Sequence, residues 1–365
     1  MSDAPHVVLV GGGHAHLQVI RGAAALHAQG ARVSVVCPRR FWYSGLATAV
    51  LAGTSEPEDD QIDVADVARR HGVEWIDAQV ARMAPAGRQL VLDNDRTLAY
   101  TAASFNVGSE VALPGTPAPA DERLWPVKPI ANIADLRTAL RAHRGSARVR
   151  VVGGGPTGCE IMASLAGLCR RESIAAELAL SHAGPELLPA APAGARAHMA
   201  RHLRAAGVRL EPGRRLHFHA AGEPRFDDED IDADFLVVAT GLRAAPLAQS
   251  LAQGESDGIP VTEHLHHPDH PDLFAAGDCA HFLPRPLPKV GVFGVRQGPV
   301  LLGNLVATIA GQALAPFRPQ RRYLTILNLG DGTGLALRGG LWWHGRAMLR
   351  LKHRLDRRFL HTQRC

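Results

Sequence analysis

The sequence predicts an α/β chain of two nested dinucleotide-binding units followed by a basic C-terminal segment. Three observations carry this. A strand–glycine turn–helix pattern opens the chain at residues 6–16, the pattern returns at residues 148–169, and two apolar strands ending in Gly241 and Gly277 come after the second copy. A dinucleotide pyrophosphate needs that order of elements. Glycines let the backbone approach the phosphates, and the following helix offers unpaired N–H groups and a partial positive charge.

Composition sets the bounds. The 365 residues are enough for two or three domains of about 100–200 residues each. Hydrophobic content of 46% and charged content of 21% are the balance of a globular protein rather than a disordered one. No uncharged apolar run reaches about 18 residues, so no transmembrane helix is expected. The N-terminus lacks a cationic region followed by an apolar one, so no signal peptide is expected. The five cysteines (Cys37, Cys159, Cys169, Cys279, Cys365) form no CxxC pair, which argues against a disulfide scaffold, a zinc ribbon and a dithiol centre. Scattered thiols suit a reducing cytoplasm. From Arg338 onward there are eight Arg or Lys and one acid, Asp356, so the positive charge of the chain sits in its tail. The body has no basic face, and a nucleic-acid partner is not expected.

In order along the chain, Val7 to Val10 form a strand that runs into Gly11, Gly12 and Gly13, and residues 17–28 read as a helix. His16 stands where the pattern has its third glycine. Residues 31–37 make a second strand ending in Cys37-Pro38-Arg39-Arg40, without the acid that usually takes the ribose hydroxyls. Residues 41–53, aromatic and small, read as a loop and short helix beside a ligand. Residues 59–71 read as a helix, and residues 73–76 and 89–93 as strands around a turn at 85–87. Residues 105–109 close the unit, and the Pro-rich residues 114–119 are a linker.

A helix at 132–143 leads to the strand 148–152 and a complete GxGxxG turn, Gly153, Gly155 and Gly158, with its helix at 161–169. Residues 177–182 form the next strand, again ending without an acid. A helix at 195–206, a strand at 208–210 and an acidic turn at 226–232 follow. Residues 234–241 and 272–280 are buried-type strands, and residues 299–310 an apolar helix. In the tail, Met348, Leu351, Leu355 and Phe359 share one helical face beside Arg346, Arg350, Arg354 and Arg357, with Trp342-Trp343 ahead. Such a helix can lie on an anionic membrane surface or dock on the chain's own body.

One glycine turn opens the chain; the other opens an inserted unit, after which the first unit resumes. That order resembles the two-domain flavoproteins of the pyridine nucleotide–disulfide oxidoreductase superfamily, and Leu273-Phe274-Ala275-Ala276-Gly277-Asp278 resembles their second FAD motif. The resemblance implies two nested Rossmann-like domains, an FAD domain at 1–115 and 233–330 and an NAD(P)H domain at 116–232, with residues 331–365 as a basic amphipathic segment. It implies cofactor contacts from Gly11, Gly13, His14, Ala15, His16, Arg39, Gly153, Gly155, Gly158, Gly241, Gly277 and Asp278, the last toward the ribityl chain or pyrophosphate.

The chain lacks the cysteine pair of the disulfide reductases and looks like the type II NADH dehydrogenases. The strongest likeness is to the flavoprotein domain found N-terminal to selenide, water dikinase, through residues 11–16, Tyr43-Ser44-Gly45-Leu46, Val127-Lys128-Pro129-Ile130, residues 289–299 and residues 354–359. Glu160 matches the dehydrogenase glutamate that lies near flavin and nicotinamide and shapes the electron-transfer site. Gln297-Gly298 match part of the quinone-site motif, while Phe293 and Arg296 stand where glutamines are usual. Lys128 and Lys289 read as contacts to the flavin's pyrimidine edge or phosphates, or as solvated lysines. His14 and His16 read as caps of the pyrophosphate or as flavin packing. The His264, His266, His267, His270 cluster reads as a surface loop, and no metal is expected.

The implied reaction is hydride transfer from NAD(P)H to FAD, then electron transfer to a quinone or other small acceptor. Oxidation of a reduced sulfur or selenium species, and a flavin-binding accessory role in selenium metabolism, are the alternatives. The expected setting is the cytoplasm; attachment to the inner face of the membrane and homodimerisation are left open.

Overall fold

A computed structural model describes residues 4–113, 115, 121–219, 222–227, 229–252, 254 and 256–364. The first stretch contains β1 (His6–Val10), α1 (His14–Arg21), β2 (Arg32–Val36), α2 (Ala47–Leu51), α3 (Val64–Arg70), β3 (Glu74–Ile76) and β4 (Ala102–Phe105). The second contains β5 (Leu124–Pro126), α4 (Ala131–Ala142), β6 (Ala147–Val152), α5 (Pro156–Glu172), β7 (Ala176–His182), α6 (Ala193–Ala205), β8 (Arg209–Pro212) and β9 (Phe235–Val238). Then come β10 (Leu273–Ala275), α7 (Gly291–Ile309), β11 (Thr325–Asn328), β12 (Gly334–Arg338), β13 (Leu341–Gly345) and α8 (Arg346–Arg364). Apart from Gly115, the expected linker at 114–119 lies outside the described residues.

Two five-stranded parallel sheets organise the chain, in the orders β10-β4-β1-β2-β3 and β5-β9-β6-β7-β8. In each, the strand that enters a glycine turn is central. Parallel strands covered on both faces read as unbroken apolar runs, and Val7, Val8 and Leu9 are fully buried. Each sheet has its own hydrophobic core. Strand β9 pairs with β5 and β6, so the second sheet continues through Val238, past the boundary expected at residue 232.

Two expected helices come out with different bounds. The helix expected over 59–71 begins at Val64. Asp63 caps it by accepting from the Asp66 N–H at 3.0 Å, and Gln61–Asp63 form a strand paired with Arg40–Trp42. The helix expected from Pro299 begins at Gly291, which places Pro299 inside it. A proline there leaves the carbonyl four residues back without its donor. Gln18 of α1 supplies one: its Nε2 donates to Val295 O at 2.6 Å. Helix α7 is long and apolar enough to cross a membrane by length and composition. In this fold it packs along α1, so closely that a Cβ at Gly298 would meet Gln18 Nε2 at 2.7 Å.

In the tail, β11, β12 and β13 form an antiparallel sheet ahead of α8. The expected apolar face of α8 is not its buried face. Leu349, Asp356, Leu360 and Gln363 are buried, while Leu355 is 47% exposed. Of the expected face, Phe359 packs on the body, stacked on Tyr43 at 4.7 Å.

Candidate active site

The first glycine turn is assembled around Asn106, the residue after β4. Its Oδ1 accepts from the N–H groups of Ala15 at 3.0 Å and His16 at 3.3 Å, and its Nδ2 donates to Ala276 O at 2.6 Å. Gly13, the N-cap of α1, has no side chain to cap the helix, so Asn106 caps it from across the sheet. Glycines are required beside it. A Cβ at Gly11 (φ +90°) would meet Asn106 O at 2.6 Å, and one at Gly13 would strike Asn106 Oδ1.

His16 turns into the protein interior. It is fully buried, its Nδ1 2.6 Å from Gly11 O and its Nε2 2.8 Å from Ser104 Oγ, and burial takes its pKa down to about 4. The ring therefore ties the turn to β4 as a neutral group. His14 meets the rings of Phe41 (5.1 Å), Phe359 (5.4 Å) and Tyr43 (5.6 Å), and is likewise lowered to about 4, chiefly by burial. Ala15 contributes its backbone N–H to the Asn106 cap. Arg39 is 59% exposed and pairs with Asp63 at 3.0 Å.

A charged group stands at the mouth of this turn. Lys128 Nζ reaches Asp278 Oδ2 at 2.8 Å and Ser109 Oγ at 2.5 Å, and Ser109 Oγ donates to Asp278 Oδ2 at 2.7 Å. Burial opposes ionisation of Asp278, yet Lys128 and the Ser109 hydroxyl hold it below the usual carboxylate range. Lys289 donates to the Asp278 carbonyl at 2.7 Å and pairs with Asp257 at 3.2 Å, so it braces the loop. Gln297, 1% exposed, accepts from the Gly277 N–H at 2.7 Å and anchors the same loop to α7.

The second turn is built from backbone. A Cβ at Gly153 would strike Ala239 O, and one at Gly158 would strike Gly153 O. Gly155 differs: its φ is −76°, and an added Cβ would meet nothing within 4 Å. Neither conformation nor packing demands glycine there, whereas close approach of a phosphate chain does. A Cβ at Gly241, beyond β9, also meets nothing within 4 Å, although its φ of +131° favours glycine. His182 ends β7 where an acid usually stands, packed against Gly154.

Glu160 of α5 joins the two units. Its Oε1 accepts from Thr48 Oγ1 and from the Asn328 N–H, both at 2.8 Å. Burial raises its pKa, against the opposing charge of Lys352. Behind the aromatic wall, Tyr43 OH donates to Asp356 Oδ1 at 2.9 Å, and Lys352 donates to Gly45 O at 2.6 Å. Asn106, Ser109, Thr48, Asn328, Lys352 and Asp356 were not singled out as site residues from the sequence. Lone polar residues at strand ends or within helices carry no spacing signal. Among the described residues no group of three or more His, Cys, Asp and Glu could hold a metal.

The structure therefore holds two glycine turns, each on the central strand of its own parallel sheet, with Lys128 paired to Asp278 beside the first turn and Glu160 tied to Thr48 and Asn328. The pyridine nucleotide-disulphide oxidoreductase family matches residues 5–298, and the chain belongs to it. It is an oxidoreductase enzyme using FAD and NAD(P)H. The chain is 23% identical to a type II NADH:quinone oxidoreductase of Staphylococcus epidermidis, over 98% of this chain and 96% of that one. Its fold superposes on NDH2 from Plasmodium falciparum, solved with NADH, with a TM-score of 0.80 at 12% identity, covering 99% and 98% of the two chains. The sulfide:quinone oxidoreductase of Aquifex aeolicus gives 0.79 at 12% identity, covering 99% and 92%.

Proposed function

We propose that the first glycine turn holds FAD, the second holds NAD(P)H, and the enzyme passes electrons from the nicotinamide to a quinone. The FAD domain is then residues 1–115 together with the chain beyond β9, and the nucleotide domain is residues 116–238. Gly155 carries the reading, because neither a positive φ nor a neighbouring atom requires glycine there. Gly11, Gly13 and the Asn106-capped helix suit the FAD pyrophosphate, and Asp278, ionised beside Lys128, suits hydroxyls of the ribityl chain. Bound FAD supplies hydride acceptance and onward electron transfer. The protein's part is placement. Gln297 and Lys289 are positioning residues that fix the Gly277-Asp278 loop, and Glu160 is fixed by Thr48 and Asn328 between the two units. Its burial-raised pKa suits it to hold a proton near the exchange site. The quinone rests on the Staphylococcus relative's activity.

Anaerobic titration of the yellow protein with NADH and NADPH tests this. We expect bleaching, and reoxidation by a soluble quinone. Gly155→Val should keep FAD and lose bleaching; simultaneous loss of FAD would overturn the assignment of the two turns. Reoxidation by oxygen but not by quinone would remove the acceptor reading.

We further propose that the terminal hairpin and helix touch an anionic membrane. Leu341 (61% exposed), Trp343 (46%) and Leu355 (47%) lie among exposed Arg346, Arg350, Arg354, Arg357 and Arg358. Co-sedimentation with phosphatidylglycerol vesicles that weakens in salt is expected; equal binding to neutral vesicles counts against it.

A further inference from the structure

Helix α8 seats with charge inward. Asp356 is 6% exposed and Lys352 sits beside it at 3.3 Å. The partner surface is the turn preceding α3, where Asp60 is 1% exposed and its Oδ1 has no hydrogen-bond partner. The Leu46 N–H reaches the Asp60 carboxyl. Arg364 straddles this residue, but its guanidinium donates to the carbonyls of Glu58 (3.0 Å), Asp59 (2.7 Å) and Gln61 (2.7 Å), not to the Asp60 carboxyl. Lys352 is taken by Gly45 O and Asp356. Around Asp60 therefore stand Asp356, Lys352 and Arg364 from α8 and Tyr43 from the aromatic loop. Glu160 from α5 and His353 act on the same Lys352–Asp356 pair. Three carboxyls crowd one lysine, and the most buried of them has an oxygen without a donor. An ionised carboxylate is costly in such a place; a neutral one is far less so.

We propose that α8 is a proton-dependent latch, in which a neutral Asp60 lets Asp356 and Lys352 seat beside it and ionisation of Asp60 drives the helix off the body. Burial, then the charge of Asp356, lifts the Asp60 pKa to about 8 in the seated state. The released state has an ordinary carboxyl. An acid whose pKa is raised by docking favours docking at low pH, and that advantage is lost as pH climbs through the docked value. Release would also draw Phe359 away from Tyr43 and His14, opening the aromatic wall.

Hydrogen exchange of α8 amides in the full-length, flavin-loaded protein tests the latch without needing turnover. Protection is normalised to intrinsic exchange at each pH from 5.5 to 9. In the wild type it should fall about tenfold per pH unit up to about pH 8 and level off above. Asp60→Asn, neutral and of the same shape, should hold protection flat, and so should Asp60→Ala. Glu160→Gln should keep the wild-type slope. A flat wild-type profile, an Asp60→Asn protein that follows the wild type, or loss of the slope in Glu160→Gln would each overturn the proposal.

Discussion

Gly11 and Gly153 end equivalent central strands, yet the turns they open are secured by different means. In the first turn, side chains make the joints: Asn106 caps α1 and reaches Ala276, His16 bonds Gly11 O and Ser104, and Gln297 takes the Gly277 N–H. In the second, backbone does the same work: Gly158 sits hard against Gly153 O, Gly153 against Ala239 O, and α5 starts at Pro156 with no side-chain cap. His16 and Gly158 occupy corresponding places and touch equivalent carbonyls, His16 that of Gly11 by a hydrogen bond and Gly158 that of Gly153 by close packing. A fully satisfied buried side-chain network rigidifies the turn that it joins. That difference fits a resident FAD at the first turn and an exchanging nucleotide at the second.

The largest test of the contrast is Lys128→Met. Lys128 leaves the second sheet after β5 and neutralises Asp278 of the first unit. Its removal strands a mostly buried carboxylate, which costs about 3–5 kcal/mol. Urea unfolding should show that loss together with release of FAD. A change below about 1 kcal/mol would mean that the network is not what secures the first turn.

Next in size is His16→Gly, which gives the first turn the glycine spacing of the second. If glycine were simply the better residue, stability would rise. The structure predicts a fall of about 2–4 kcal/mol, because a cavity opens and Ser104 and Gly11 O lose a buried partner. Denaturant midpoints at fixed pH decide it, and an unchanged or stabilised protein would erase the distinction between the turns.

Both glycine turns and most strands of the two parallel sheets were legible in the sequence, because strands buried on both faces are continuous apolar runs and glycine turns have fixed spacing. The interior position of Pro299 was not. It depends on Gln18, 277 residues before Val295, donating to the orphaned Val295 carbonyl. The inward face of α8 was hidden for the same reason. Helical periodicity puts apolar residues inside, but Asp356 is buried because Tyr43, 313 residues earlier, offers it a hydroxyl. His16 was legible as an anomaly; its role was not, since Ser104 carries no pattern of its own.

The smallest effect concerns acid, and its sign separates the Asp278 network from ordinary surface pairs. Lys128 and Ser109 hold the folded pKa of Asp278 below its usual value, so this group adds stability above the ordinary carboxylate range and loses it as pH falls through the folded value. One carboxyl supplies about 1.4 kcal/mol for each unit of displacement. Wild-type FAD retention should therefore decline as pH drops below about 4, where unfolded carboxylates begin to protonate. In Lys128→Met the sign reverses. Asp278 is left buried without its cation, its folded pKa rises, and the variant should gain stability on acidification from pH 7 toward pH 5. Flavin release followed by fluorescence across both windows measures the two slopes. Slopes of the same sign in the two proteins would show that Asp278 is not governed by Lys128, and that the first turn's charge is incidental to its hold on the flavin.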